Sequence, residues 1–291
     1  MDTGLGNKVA IVTGATANIG RAIALALATE GVRLVAVGRD RMQGEEVVKQ
    51  ARERGAADAI FVATDVTDRR QVKNLVTEAI NRFGTVDVLV NNAGGNTGPW
   101  GLFVDSDPDR WEADIALNMK SVLYCAHTVL PHMIARKSGR IINIGSTAGQ
   151  GGDYMQSIYS TAKGGIHNFT RVLAKEVGEY NITVNCVAPY GTFPENAATE
   201  TSSGSRFHPI TGSVAHDKVL QLAGFITPAG TVADDKPLQR PELQSKIRRD
   251  GVLSRKFGKP TEVAAGVVYL ASEVAAFVTG QVQFVDGGAL L

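Results

Sequence analysis

Tyr159 and Lys163 stand four residues apart in Tyr159-Ser160-Thr161-Ala162-Lys163, at the start of a long stretch of helical period. Residues i and i+4 share one helix face, so a phenol and an ammonium there point the same way. A free tyrosine ionises near pH ~10, and a neighbouring cation favours its phenolate. A phenol tuned in this way can give a proton to a ketone oxygen or take one from an alcohol. Alone, such a pair is as often a surface contact, so its neighbourhood decides. Ser146 follows a strand-like run in Asn143-Ile144-Gly145-Ser146-Thr147. Its hydroxyl could orient a substrate oxygen, or simply cap a turn.

A second motif is Thr13-Gly14-Ala15-Thr16-Ala17-Asn18-Ile19-Gly20, between an apolar run and a helical one. A turn at a helix N-terminus offers free N–H groups and the positive end of the dipole, which suits a pyrophosphate. Gly14 would permit the turn and Gly20 a close helix–strand approach, while Asn18 is among the few residues that tolerate left-handed geometry. The next strand ends Val37-Gly38-Arg39-Asp40. An acidic residue in the place of Gly38 would bind a ribose 2′-hydroxyl and repel a 2′-phosphate. Arg39 instead offers a fork that fits the phosphate, which favours NADP(H) over NAD(H). The alternative is that Arg39 is a solvated charge at a helix start and Asp40 its N-cap.

The elements that must carry these residues alternate along the chain. Strands are expected at 9–13, 34–37, 59–63, 86–90, 140–144, 182–187 and 281–285. Helices are expected at 19–30, 43–54, 69–83, 109–117, 121–136, 157–179 and 261–271. Near-continuous apolar strands between amphipathic helices imply an α/β fold, a doubly wound parallel sheet covered on both faces. No composition shift marks a domain border, so residues 1–291 are expected to form a single domain. Ligands of such sheets sit at the carboxyl ends of the strands, which would bring Ser146 and Tyr159 to one crevice.

The bulk composition excludes several classes. A net charge of +1 over 291 residues aims no strong field at nucleic acid or an anionic membrane. No apolar run approaches the length of a membrane span, and the N-terminal residues lack a signal-peptide pattern. A cytoplasmic protein is expected, with Cys125 and Cys186 as buried thiols rather than a disulfide. His127, His132 and His167 lack metal-ligand spacing and read as structural; no metal is expected.

Taken together, these motifs resemble the short-chain dehydrogenase/reductase family, and the likeness runs from Thr13 to Gly288. Asp65 in Thr64-Asp65-Val66-Thr67, the run Asn91-Asn92-Ala93-Gly94, Asn118 in Leu117-Asn118-Met119, and the 13-residue spacing from Ser146 to Tyr159 complete the pattern. The resemblance implies a Rossmann-like domain of about seven strands with a 3-oxoacyl-reductase-like activity. It implies that an NAD(P)(H)-dependent oxidoreductase interconverts a secondary alcohol and a ketone by hydride transfer, with Asn118, Ser146, Tyr159 and Lys163 catalytic. Asn118 would position a water leading from Lys163 to solvent. The cofactor would meet Gly14, Thr16, Asn18, Ile19 and Gly20 at the turn, and Arg39, Asp65 and Val66 at its adenosine end. Asn92, Ala93, Gly94, Tyr159, Lys163, Pro189 and Thr192 would line the rest. Family members often form homotetramers or dimers through helices here at about 121–136 and 157–179 and through the last strand.

Two departures stand out. In Ala188-Pro189-Tyr190-Gly191-Thr192, Tyr190 replaces a usual glycine and Thr192 has a shifted offset; Tyr190 either packs or lines the substrate pocket. The link from Pro189 to Arg255 is also long. An insertion at about 192–255, with an apolar patch at 219–226 and the basic residues Arg206, His208, His216, Lys218, Arg248 and Arg249, could form a lid over an anionic or bulky substrate. It could equally be a solvated insertion. Pro99, Trp100 and Phe103 either wall the pocket or pack in the core. The substrate would be a 3-oxoacyl thioester, or a small cyclic, aromatic or steroid-like alcohol. The rival readings are a non-catalytic nucleotide-binding redox sensor of the same fold and an extended-type epimerase or dehydratase. The complete Ser-Tyr-Lys set argues against the first, and the Asp286-Gly287-Gly288 ending against the second.

Overall fold

A computed structural model describes residues 2–96, 101–194, 196, 200–201, 252–253 and 257–291. Pro99, Trp100, the 219–226 patch, the basic residues between 206 and 249 and most of the expected 192–255 lid lie outside the described residues. The chain runs β1 (Val9–Thr13), α1 (Asn18–Thr29), β2 (Arg33–Gly38), α2 (Arg41–Glu53), β3 (Asp58–Ala63), α3 (Arg69–Phe83) and β4 (Val88–Asn91). It continues through α4 (Trp111–Ile115), α5 (Ser121–Arg136), β5 (Gly139–Ile144), α6 (Ala148–Gly151), α7 (Ser157–Val177) and β6 (Ile182–Pro189), and closes with α8 (Pro260–Ala271) and β7 (Val282–Val285).

The strands form one seven-stranded sheet in the order β3-β2-β1-β4-β5-β6-β7, and every neighbouring pair is parallel. Alternate residues face opposite sides of a strand, and β1 divides its side chains accordingly. Ala10 and Val12 join a core with Ile23 and Leu27 of α1, Val47 of α2 and Val263 and Val267 of α8. Val9 and Ile11 join a second core with Leu75 of α3, Val129 and Met133 of α5 and Leu173 and Val177 of α7. Both faces are covered, which is why the strands are apolar throughout.

The chain winds outward from β1 to β3 and then returns to β4 on the other side of β1. The carboxyl ends of β1 and β4 therefore open a crevice at the point where the winding reverses. Local signals set the helices that flank it. Asp40 caps α2 by accepting from the Gln43 N–H at 3.1 Å. Asp68 caps α3 through Arg70 N–H at 2.8 Å, and Gly84 ends that helix at φ +81°.

The expected helix at 109–117 is broken up. A 3-10 turn at Pro108–Arg110 leads into the short α4, and a π-helical turn spans Ala116–Lys120 before α5. A π turn widens the helix by one residue and is common at functional sites; here it contains Asn118. The short α6 and the 3-10 turn Gly178–Tyr180 that replaces the tail of the expected 157–179 helix were also not anticipated.

One buried polar chain ties the central strands to α7. Asn91 Nδ2 donates to Asn143 Oδ1 at 2.9 Å, Asn143 Nδ2 donates to Thr170 Oγ1 at 3.0 Å, and Thr170 Oγ1 donates to the Ile166 carbonyl at 2.8 Å. Substituting Asn143→Ala leaves the Asn91 amide and Thr170 without these partners, at a cost of about 2–3 kcal/mol. The expected result is a melting temperature lower by roughly 5 °C, measured by calorimetry; an unchanged value would show that this chain does not hold α7 to the sheet.

Candidate active site

Gly14 adopts φ +65°, and a Cβ there would stand 2.9 Å from Asn92 Nδ2 and 3.0 Å from the Ala93 Cα. At Gly20 a Cβ would collide with the Gly14 carbonyl and Asn92 Nδ2. Asn18 is left-handed at φ +46°, the conformation expected of a residue standing in for glycine. The turn is braced from β4: Asn92 Nδ2 donates to the carbonyls of Thr13 (2.8 Å) and Gly14 (3.2 Å). The N–H groups of Asn92 and Ala93 donate to Thr13 Oγ1 at 2.9 and 3.0 Å. α1 begins without a side-chain cap and without an acidic residue in its first turn. Its first N–H groups are thus left to an anion. A glycine cradle, an uncapped helix start and an electropositive first turn fit the pyrophosphate of a dinucleotide.

Thr16 is buried and packs where a residue 38 side chain would go; a Cβ on Gly38 would lie 2.6 Å from Thr16 Cγ2. Gly38 therefore makes room for Thr16 as well as lacking a carboxylate. Arg39, next along, is exposed. Asp65 follows β3, whose Ala63 pairs with Gly38. Its Oδ1 accepts from Thr67 N–H (2.9 Å) and Thr67 Oγ1 (2.7 Å), and Val66 is buried beside it. The residues expected at the adenosine end thus lie together at the carboxyl ends of β2 and β3, along the same rim as the turn.

The opposite side of the crevice carries the acid–base residues. Ser146 follows β5, and its Oγ accepts from Ala148 N–H at 3.2 Å, which leaves its O–H to donate elsewhere. Lys163, one turn after Tyr159 on α7, is only 3% exposed, and its Nζ donates to the Ile144 carbonyl at 2.8 Å. The same nitrogen lies 5.8 Å from the centroid of the Tyr159 ring. Burial pushes the Lys163 amine down to about 8, with Cys186 acting weakly the other way. Gly94 passes between Lys163 and Asn118; a Cβ there would stand 3.1 Å from Nζ and 3.0 Å from Asn118 Oδ1. Both ends of the Asn118 side chain are engaged with backbone. Oδ1 accepts from Gly95 N–H at 2.8 Å, and Nδ2 donates to the carbonyls of Gly95 (2.9 Å) and Asp114 (3.0 Å).

The remaining expected residues are less direct. The Pro189 carbonyl accepts from Thr147 N–H at 3.0 Å, which holds β6 to the segment after Ser146. Thr192 is buried, and its hydroxyl donates to the Tyr190 carbonyl at 2.8 Å. Phe103 stacks on Trp111 with centroids 5.2 Å apart. Cys125 and Cys186 are buried free thiols, and burial raises both to about 12. The sequence reasoning missed the buried pair Asn96 and Gln156, whose side chains meet at 3.3 Å and join the loop after β4 to the start of α7. Both residues lie next to recognised motifs, but nothing in their spacing marked the contact.

Residues 8–203 match the family described as short chain dehydrogenase, and residues 223–289 match one described as Enoyl-(Acyl carrier protein) reductase. The chain belongs to the short-chain dehydrogenase/reductase family. It is 33% identical over 288 residues, 99% of each chain, to the 3-oxoacyl-(acyl-carrier-protein) reductase FabG of Thermotoga maritima. It is 34% identical over 291 residues, 99% of each chain, to the 3-oxoacyl-(acyl-carrier-protein) reductase of Synechocystis sp.. Among solved structures, an NAD+-bound xylitol dehydrogenase superposes with a TM-score of 0.79 at 27% identity, covering 98% of this chain and 99% of that one. The crystal structure of gox2181 gives 0.78 at 28% identity, covering 98% and 96%. This short-chain dehydrogenase/reductase is an NAD(P)-dependent oxidoreductase, and the sensor alternative finds no support among these relatives. No described helix is long and apolar enough to cross a membrane.

The buried amine has a cost that can be measured. A fall from 10.5 to about 8 corresponds to about 3 kcal/mol against the charged form. Below about pH 8 the folded protein must carry that charge, whereas from about 8 to 10.5 only the unfolded chain binds the proton, so the Lys163 contribution grows more favourable as pH rises. Substituting Lys163→Met should therefore raise the melting temperature of nucleotide-free protein at pH 7, and that advantage should shrink steadily from about pH 8 toward 10.5. Thermal unfolding of both proteins across pH 6–10 checks this; a less stable variant at pH 7 would contradict the sign.

Proposed function

We propose that this oxidoreductase reduces a 3-oxoacyl-type ketone to its secondary alcohol with NADP(H), and that Tyr159 exchanges the proton with the substrate oxygen. The observation that carries the assignment is the buried Lys163 amine, one helical turn from Tyr159 and 5.8 Å from its ring centroid. When bound, the nicotinamide supplies or accepts the hydride. In reduction, Tyr159 gives its hydroxyl proton to the carbonyl oxygen as that oxygen gains negative charge. The phenolate left behind is favoured by the neighbouring positive charge of Lys163 and regains a proton from solvent before the next turnover. Ser146, its Oγ lone pair already held by Ala148 N–H, turns its O–H to the same substrate oxygen and orients it. Asn118 serves the site by fixing the Gly95 backbone from both sides, which sets the loop between itself and Lys163.

The thioester class rests on the two curated relatives named 3-oxoacyl reductases. A small polyol or cyclic alcohol is the second reading, favoured by the likeness to a xylitol dehydrogenase. Assaying a 3-oxoacyl thioester, its free-acid counterpart and a panel of polyols and cyclic alcohols separates the two. The reaction class itself is tested by Tyr159→Phe. This variant should bind nucleotide as before and lose at least about a thousandfold in kcat; turnover at the natural rate would remove the phenol from the mechanism.

The cofactor preference rests on Gly38, which offers no carboxylate, and on the exposed Arg39 beside it. The Arg39→Ser variant should raise KM for NADPH by about tenfold or more and leave KM for NADH within about threefold, since one charge-assisted phosphate contact is worth about 1.5–3 kcal/mol. A natural protein that prefers NADH would overturn this assignment. The long segment at 192–255 is proposed to act as a substrate lid; shortening 200–245 should then change KM or kcat for the bulky substrate more than for a small ketone.

A further inference from the structure

His167 is the one buried histidine among the described residues, and the acid–base scheme above does not use it. It lies one turn beyond Lys163 on α7, is 2% exposed, and neither ring nitrogen has a hydrogen-bond partner. Desolvation pushes its pKa down to about 4, with the charges of Arg171 and Lys163 adding to the effect, so the ring is neutral near pH 7. Its edge meets Phe284 of β7 with centroids 6.1 Å apart and an interplanar angle of 82°. The ring also lies against Gly145. A Cβ at Gly145 would stand 2.5 Å from His167 Nε2, 2.9 Å from its Cδ2 and 2.7 Å from Cys186 Sγ.

Gly145 is the residue between Ile144, whose carbonyl holds Lys163 Nζ at 2.8 Å, and Ser146. The backbone there is pinned on one side, since Gly145 N–H donates to the Val187 carbonyl at 2.8 Å. His167 and Cys186 close the remaining space. We propose that His167 is a positioning residue: its neutral ring, wedged against Gly145, fixes the end of β5 so that the Ile144 carbonyl holds Lys163 and Ser146 faces the crevice. The placement also keeps the surroundings of the amine dry. The ionisable groups that bear on Lys163 from its packed neighbours are His167 and Tyr159 on α7 itself and Cys186 from β6; Arg171 bears on His167 from the same helix. A planar ring fills the slot beside Gly145, and a small side chain would leave a cavity there.

This inference rests on the proposed roles of Lys163 and Ser146, and its test separates the two. The titration of Lys163 is followed by NMR in nucleotide-free protein carrying labelled lysine, its signal assigned by loss in Lys163→Arg. In His167→Ala, water enters beside the amine, and the midpoint should move from about 8 toward 10.5. In His167→Phe, which keeps a ring in the slot, it should stay near that of the natural protein. The kcat of the alanine variant should fall by about tenfold or more with KM changed less than about twofold, and the phenylalanine variant should recover most of it. Should His167→Ala fail to fold, His167→Ser replaces it and should give a shift in the same direction, since its small side chain leaves the same cavity. Alanine or serine variants with the natural midpoint and the natural kcat would overturn the proposal. A protein that turns over none of the panel substrates yet shows the midpoint shift would instead sink the functional assignment and leave the positioning role standing.

Discussion

A lysine ammonium held in a dry interior by one backbone carbonyl is the constraint around which the crevice is built. The bond from Lys163 to Ile144 is short, but burial still disfavours the charge, which is why the amine is pushed down. A group poised in this way responds to whatever is placed beside it, and a phenol one turn away is the partner best suited to share its field. For the amine to reach the carbonyl at all, α7 must lie close against the end of β5. The Asn91–Asn143–Thr170 chain and the contact of His167 with Gly145 both hold it there.

The same economy of backbone approach governs the nucleotide side. Asn92, the residue after β4, reaches across the point where the winding reverses and holds the carbonyls of the turn after β1. That contact is possible because Gly14 and Gly20 lack side chains at positions where a Cβ would meet Asn92. Thr13 completes the joint from the other strand by accepting two N–H groups from the Asn92–Ala93 segment. Two parallel strands that are distant in sequence are thereby locked at their carboxyl ends, leaving the uncapped start of α1 facing the crevice. The turn and the acid–base residues then share one rim of one sheet.

Much of this was legible beforehand because it depends on local rules. Apolar runs between amphipathic stretches placed α3 and α5 to the residue and the other long elements to within a few residues. The parallel, doubly wound sheet followed from strands too apolar to face water on either side. Asp40 was legible as a cap, and it does cap α2; an exposed Arg39 beside it is compatible with the phosphate role as well. The helix expected at 109–117 was misjudged, because its apolar period continues through a π turn whose extra residue exists to bring Asn118 under Gly95. Asn118 within that turn engages the backbone of Gly95 in the loop after β4. For Thr192 the resemblance implied a place beside the cofactor at a shifted offset, and the loop turns its hydroxyl onto the Tyr190 carbonyl.

The sequence by itself determined the order of elements, the family pattern and the identity of the groups able to move a proton, since residue type and spacing along one helix or turn suffice for these. Only the tertiary structure decided the state of those groups. That Lys163 is dry, that Ser146 has one lone pair occupied, and that His167 lies against the glycine after β5 are consequences of which backbone atoms come within a few ångströms. Such distances are set by residues remote in sequence, and no periodicity along the chain carries them.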